Sequence, residues 1–206
     1  MSEFDQKAAT WDQDAAKVAR AERVAEAIRD MVDDLAGRHA LEVGCGTGLL
    51  GFALRPHVAR ITLADTSAGM LDVLRRKIAD AGFQGMEALQ HDFTQGPLPE
   101  ARYGLVCSLM VLHHIPDTEA ALRRFHDILE PGGLLCMADL DQEDGSFHGA
   151  GVTDVHLGFD REALRDQLQR AGFQDIRFRT PFVIARETGQ GPRQYPVFLV
   201  AARRLA

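Results

Sequence analysis

The sequence predicts one doubly wound α/β domain with a mostly parallel sheet. Three observations predict it. Short apolar runs alternate with amphipathic segments of helical length, a glycine-rich turn follows the first apolar run, and 206 residues suffice for one full hydrophobic core.

The first element is a helix over residues 7–36, where Val18, Ala21, Val24, Ala25, Ile28, Met31, Val32 and Leu35 recur at three- and four-residue steps. Phe4 and Trp11 stand ahead of it in a polar leader, either pinning that leader or lidding a pocket. This divides the chain into an N-terminal helical lid segment, 1–36, and a core, 37–206, within one domain.

The run His39-Ala40-Leu41-Glu42-Val43 reads as a buried strand, followed by glycines and a helix over 49–55. A second strand covers 61–64, and a second core helix covers 68–81 and stops at Gly82. Strands at 86–91 and 103–109 precede a helix at 117–129. The fifth strand, 133–140, follows Pro131-Gly132, and a helix at 160–171 is closed by Gly172. Two β-rich segments, 175–185 and 195–203, joined through Gly189-Gln190-Gly191-Pro192, read as an antiparallel hairpin.

Composition narrows the function classes. Apolar residues are 46% and charged residues 26%, as in an ordinary globular domain, and no apolar run approaches the roughly 20 residues that cross a bilayer. The start, Met1-Ser2-Glu3-Phe4-Asp5, has no basic, greasy leader, which predicts a cytoplasmic protein without membrane association. A net charge of −7 argues against nucleic acid as a partner. Arg177, Arg179, Arg186, Arg193, Arg203 and Arg204 then read as solvated charge on outer strands. Cys45, Cys107 and Cys136 are too scattered for a disulfide framework or zinc knuckle, and no tight ligand spacing supports a metal at His148, His156, Asp144 and Asp154. Monomer and homodimer are both compatible with these features.

In such sheets ligands lie beyond the carboxyl ends of the strands. There the sequence places Gly44-Cys45-Gly46-Thr47-Gly48, whose glycines let the backbone take positive φ and let a ligand approach the main chain. Two frames compete. Gly46-Thr47-Gly48-Leu49-Leu50-Gly51 matches the dinucleotide spacing G-x-G-x-x-G, whereas Glu42-x-Gly44-x-Gly46-x-Gly48 is an acid followed by alternate glycines. Glu42 favours the second, because a carboxylate repels a pyrophosphate and attracts an amino acid's ammonium. Asp65, at the end of the second strand, suits a pair of ribose hydroxyls. Met70 is placed to touch an adenine face, Asp92 to accept its amino group, and Phe93 to close its edge.

These segments resemble the class I S-adenosylmethionine-dependent methyltransferases, in their small-molecule branch. The resemblance rests on Leu41-Glu42-Val43-Gly44-Cys45-Gly46-Thr47-Gly48, Asp65-Thr66-Ser67-Ala68-Gly69-Met70-Leu71 and His91-Asp92-Phe93. It continues through Val111-Leu112-His113-His114-Ile115-Pro116-Asp117, Leu129-Glu130-Pro131-Gly132-Gly133-Leu134-Leu135 and Ala171-Gly172-Phe173. It implies a Rossmann-like seven-stranded sheet with an antiparallel last strand and S-adenosylmethionine as cofactor. Implied contacts are Glu42, Gly44, Cys45, Gly46, Gly48, Asp65, Thr66, Met70, Asp92, Phe93 and the Leu109 carbonyl. It also makes the leader around Trp11 a lid bordering the pocket.

The expected reaction is in-line methyl transfer to a small-molecule acceptor, yielding S-adenosylhomocysteine. The sulfonium activates the methyl group, so positioning and water exclusion carry most of the catalysis. His113 and His114 are the candidates for a base after the fourth strand, and Asp139 and Asp141 follow the fifth. The glycine-rich stretch 142–158 offers His148 and His156 as substrate contacts beside Trp11. The alternatives are an NAD-dependent oxidoreductase, for which no Tyr-x-x-x-Lys pair exists, and a non-catalytic S-adenosylmethionine-binding module.

Overall fold

The computed structural model describes residues 3–148, 155–188 and 191–205. Asp154 and the hairpin tip Gly189-Gln190 lie outside the described residues.

Seven strands form one sheet in the order β3-β2-β1-β4-β5-β7-β6. They are β1 (His39–Val43), β2 (Arg60–Asp65), β3 (Met86–Gln90), β4 (Tyr103–Leu109), β5 (Leu129–Leu140), β6 (Phe173–Thr188) and β7 (Gly191–Arg204). The first five are mutually parallel, and β7 runs antiparallel between β5 and β6. The strand order reverses between β1 and β4, which sets the carboxyl ends of those two strands at the ligand crevice. Two apolar layers cover the two faces. One is centred on Ile28, Leu50, Leu63 and Leu105, the other on Leu41, Phe125, Leu135 and Phe198.

The helices follow their caps. Ser67 starts α4 (Ala68–Ala81) by accepting from Met70 N at 3.2 Å, and Gly82 closes it in the left-handed conformation. Asp117 and Asp160 likewise cap α5 (Thr118–Ile128) and α6 (Arg161–Arg170). The glycine turn leads into α3 (Leu49–Leu54).

The N-terminal segment departs from the expected continuous helix. It is α1 (Glu3–Lys7), a 3₁₀ turn over Ala8–Gln13, and α2 (Ala15–Met31). Asp14 makes the break, since its carboxylate accepts from Ala16 N and Lys17 N and starts a new helix there. The break lets the leader turn back over the carboxyl ends of the strands. The β6–β7 hairpin also runs longer than its apolar pattern suggests, with Thr188 still paired to Gly191. Among the described residues no helix is long and apolar enough to cross a membrane.

Candidate active site

The three alternate glycines of the turn all take positive φ: 66° at Gly44, 54° at Gly46 and 84° at Gly48. They do different work. A Cβ on Gly44 would fall 2.5 Å from Val111 Cγ2, and one on Gly48 would fall 2.6 Å from Leu74 Cδ1, so the protein itself fills both approaches. At Gly46 the nearest atoms are Met70 Sδ at 3.9 Å and Trp11 Nε1 at 4.0 Å. Of the three, Gly46 alone fronts room for a ligand.

Asp65 fastens that glycine. Its Oδ2 accepts from Gly46 N at 2.7 Å and its Oδ1 from Ser67 N at 2.8 Å. A carboxylate has about four acceptor positions, so capacity remains on both oxygens. That is the donor-seeking pair that two neighbouring sugar hydroxyls would satisfy.

Glu42 lies deeper than a strand-tip acid is expected to. Its side chain is 2% exposed and lies beneath the turn, with Gly51 N as its backbone partner and Oε2 unpartnered. Burial pushes its pKa up to about 8, and the nearby Asp65 adds to the rise. At neutral pH it is mostly an uncharged acid under α3, not a surface carboxylate waiting for an ammonium. Gly51 makes this possible: a Cβ there would stand 2.3 Å from Leu63 Cδ2 and 2.8 Å from Glu42 Oε2, so α3 seals tightly over the strand.

Cys45 contributes main chain, its N donating to Ala64 O at 2.9 Å, while its buried thiol is pushed well above its ordinary range by burial and then by Glu42 and Asp65. Thr66 is exposed and gives its carbonyl to Gln90. Met70 and Phe93 are buried, so they form floor rather than wall. Asp92 makes a turn, its Oδ1 taking Thr94 N at 2.8 Å and Thr94 Oγ at 2.6 Å, and its Oδ2 takes no bond from the described residues. Leu109 ends β4, and Met110 behind it sits at φ 59°, a conformation costing a branched or bulky residue roughly 1–2 kcal/mol. That bend carries Val111 behind Gly44 and opens the 3₁₀ turn Leu112–His114.

The leader covers this edge. Asp12 accepts from Thr47 Oγ and from Lys77 Nζ at 2.7 Å, and Lys77 also reaches Thr47 O at 2.9 Å. Asp5 accepts from Ser67 Oγ and from Gly69 N at 3.0 Å. Trp11 packs edge-on to Phe4, and Phe4 edge-on to His114, with ring centres 6.1 and 5.5 Å apart.

Beyond the lid stands a cluster of imidazoles. His113 is 2% exposed and its Nδ1 is 2.7 Å from Oδ1 of the fully buried Asp139. The same carboxylate accepts from His113 N at 3.2 Å and Leu140 N at 2.7 Å. The His114 and His148 rings lie 4.1 and 5.0 Å from that of His113. Desolvation, then the neighbouring imidazoles, lower the pKa of His114, and desolvation followed by His113 lowers that of His148. His148 Nε2 is buried without a partner among the described residues.

Two sequence candidates have other duties. His156 gives Nε2 to the Ile115 carbonyl at 2.9 Å and its main-chain N to His113 O, so it anchors the loop rather than facing a substrate. Asp141 is held by Arg161 through two contacts of 2.7 Å. The sequence reading passed over Asp5, Asp12 and Lys77, which looked like solvated charge. It also passed over Arg20, although that cation shares the apolar stripe of Val24 and Ile28, a pattern that marks a buried charge.

Comparison with known proteins adds the lineage. A family model described as a methyltransferase domain matches residues 40–133. An uncharacterised methyltransferase of Mycobacterium tuberculosis is 34% identical over 112 residues, covering 54% of this chain and 55% of that protein. Residues 40–133 are thus similar to a methyltransferase domain, and the fold is that of the class I S-adenosylmethionine-dependent methyltransferases. Another relative within reach is the malonyl-[acyl-carrier protein] O-methyltransferase of Serratia marcescens, 32% identical over 139 residues, 68% of this chain and 51% of that one. The chain spans about half the length of the curated relatives it matches. The methyltransferase fold is shared with phosphoethanolamine N-methyltransferase 2 of Haemonchus contortus, solved with S-adenosyl-L-methionine. The TM-score is 0.74 at 14% identity, over 100% of this chain and 61% of that one. Gly51 would serve close helix–strand packing in a dinucleotide fold as well, so the family match, rather than the glycine spacing, sets the oxidoreductase reading aside.

Proposed function

We propose that this chain moves a methyl group from S-adenosylmethionine to an oxygen of a small-molecule acceptor, with His113 as the base. The observation that carries the cofactor half is the bond between Asp65 and Gly46 N, made at the one turn glycine that fronts open space. Asp65 would hold the ribose hydroxyls, Met70 and Phe93 would floor the adenine, and Asp92 Oδ2 and the Leu109 carbonyl would accept its donors and those of the amino-acid tail. The cofactor, when bound, supplies a methyl already activated on a positively charged sulfur.

The chain's own residues do the rest. Phe4 and Trp11 exclude water from the edge. Asp139, accepting from Nδ1, fixes the His113 tautomer with its proton there, so Nε2 presents a lone pair. That nitrogen would take the hydroxyl proton as the methyl leaves sulfur for oxygen, with S-adenosylhomocysteine as the leaving group, and Asp139 would stabilise the resulting imidazolium. The Serratia relative, an O-methyltransferase by name, supports oxygen as the nucleophile.

Calorimetry tests the cofactor half. S-adenosylhomocysteine binds the wild-type protein, NADH does not, and Asp65→Ala weakens the binding by about tenfold or more, the loss expected for charge-assisted hydrogen bonds. Clean NADH binding with no response to S-adenosylhomocysteine would overturn the reading.

A further inference from the structure

Two arginines lie within electrostatic reach of each other near the imidazole cluster, and neither has a carboxylate partner among the described residues. Arg20 comes from α2, and its Nε is buried without a hydrogen-bond partner among the described residues. Arg186 comes from the exposed hairpin strand β6. Its guanidinium lies 3.9 Å from the centre of the Phe147 ring and donates to the Phe147 carbonyl at 2.5 Å. Phe147 in turn packs edge-on to His148, ring centres 4.9 Å apart.

The acids nearby act on this pair only from a distance, since none of them is ion-paired with either arginine among the described residues. Asp14 is taken by Lys17, Asp144 by Arg193, and Asp139 by His113. Glu143 accepts from Phe147 N through one oxygen, keeps its other buried oxygen without a partner among the described residues, and acts electrostatically on His148. Desolvation lowers the pKa of Arg20 and Arg186 adds to the fall as a like charge, while Asp14 and Asp139 oppose it. In a chain with 30 acidic and 23 basic residues, keeping two cations together without an acid is unfavourable unless a ligand supplies the missing charge. A guanidinium stacked on an aromatic face is also held flat, with its N–H edge free to fork onto two oxygens.

We propose that Arg20 and Arg186 bind an anionic group of the methyl acceptor, a carboxylate or a phosphate, with His148 Nε2 as a further contact. This rests on the methyl-transfer reading for the word acceptor, and the anion site itself stands apart from it. The rings of Phe147, His148, His114 and Phe4 beside the two cations suit a flat, aromatic body on that acid.

The test is equilibrium binding to the full chain by calorimetry, using 4-hydroxybenzoate, phenyl phosphate and the uncharged 4-hydroxybenzyl alcohol. Each is measured with and without S-adenosylhomocysteine. At least one of the two anions binds about tenfold or more tighter than the alcohol, and whichever binds tighter identifies carboxylate or phosphate as the group. Arg20→Gln and Arg186→Gln each weaken the anion by about fivefold or more without changing the alcohol, and Arg20→Lys restores part of the loss. Arg186→Gln, on an exposed strand, keeps the test valid if Arg20→Gln does not fold. Equal binding of anion and alcohol, no anion binding at all, or anion affinity indifferent to Arg186→Gln would overturn the proposal. Loss of S-adenosylhomocysteine binding in the wild type would instead overturn the methyl-transfer reading, leaving the anion result to stand on its own.

Discussion

Asp5 accepts the main-chain N–H of Gly69 at 3.0 Å, so a residue near the start of the chain caps the first turn of α4 from 64 positions away. A Cβ on Gly69 would lie 2.9 Å from Asp5 Cα and 3.1 Å from Asp5 O, backbone atoms that cannot turn aside. Gly69→Ala therefore has two opposed effects. It improves helix propensity by about 1 kcal/mol and lifts the leader from the site. The expected result is a melting temperature unchanged or raised, with faster proteolysis of the leader and an altered fluorescence of Trp11, the one tryptophan in the sequence. An unaltered Trp11 signal would count against the lid.

The turn glycines give a second prediction. Gly44→Ala and Gly48→Ala drive a methyl into Val111 and Leu74, and both destabilise by about 2 kcal/mol or more once strain and overpacking combine. Gly46→Ala meets only the backbone cost, about 1 kcal/mol. Thermal melts alongside S-adenosylhomocysteine titrations should thus rank Gly46→Ala mildest in stability, yet with binding clearly weakened.

The buried Glu42 makes stability depend on pH. Its folded pKa of about 8 lies above the ordinary carboxylate range, so the native state holds a proton that the unfolded chain releases. This contribution is greatest below about pH 4.5, shrinks as pH rises toward 8, and is flat beyond, a change on the order of a few kcal/mol. Denaturant melts from pH 5 to 8 should show that decline, and Glu42→Gln should flatten it. An identical decline in the variant would show that another group is responsible.

The Asp139–His113 pair predicts a kinetic signature. With an accepted hydroxyl substrate, His113→Asn and Asp139→Asn each lower kcat by about 10²-fold or more. The double variant falls little further, because the two act as a unit. S-adenosylhomocysteine affinity should stay within about twofold of wild type, since neither residue lies at the glycine turn. Additive losses would indicate two independent roles.

Much of this was legible in the sequence, and for identifiable reasons. The strands at His39–Val43 and Tyr103–Leu109 are near-continuous apolar runs, as a sheet covered on both faces requires, and α4 carries its cap and its stop in Ser67 and Gly82. Asp65 was legible because a strand end in such sheets is a ligand edge. The direction of a side chain was not. Glu42 and Asp65 both sit near strand ends, and only the close descent of α3 at Gly51 decides that one is entombed while the other meets the crevice. Contacts between distant segments were equally hidden: Asp12 meets Lys77 across 65 positions, and no local pattern encodes that. Arg186 looked like ordinary outer-strand charge, because its stacking on Phe147 depends on how the hairpin curls.

The sheet order has a consequence for how such a protein changes its trade. In the proposed site the grip on the sugar comes from β1, β2 and α4, whereas Arg186 arrives on β6, at the opposite margin of the sheet. The β4–β5 seam, with its histidine and aspartate, lies between the two territories. Grafting a different hairpin onto that margin would re-target the enzyme to a new partner molecule while its hold on the methyl source stayed as it was.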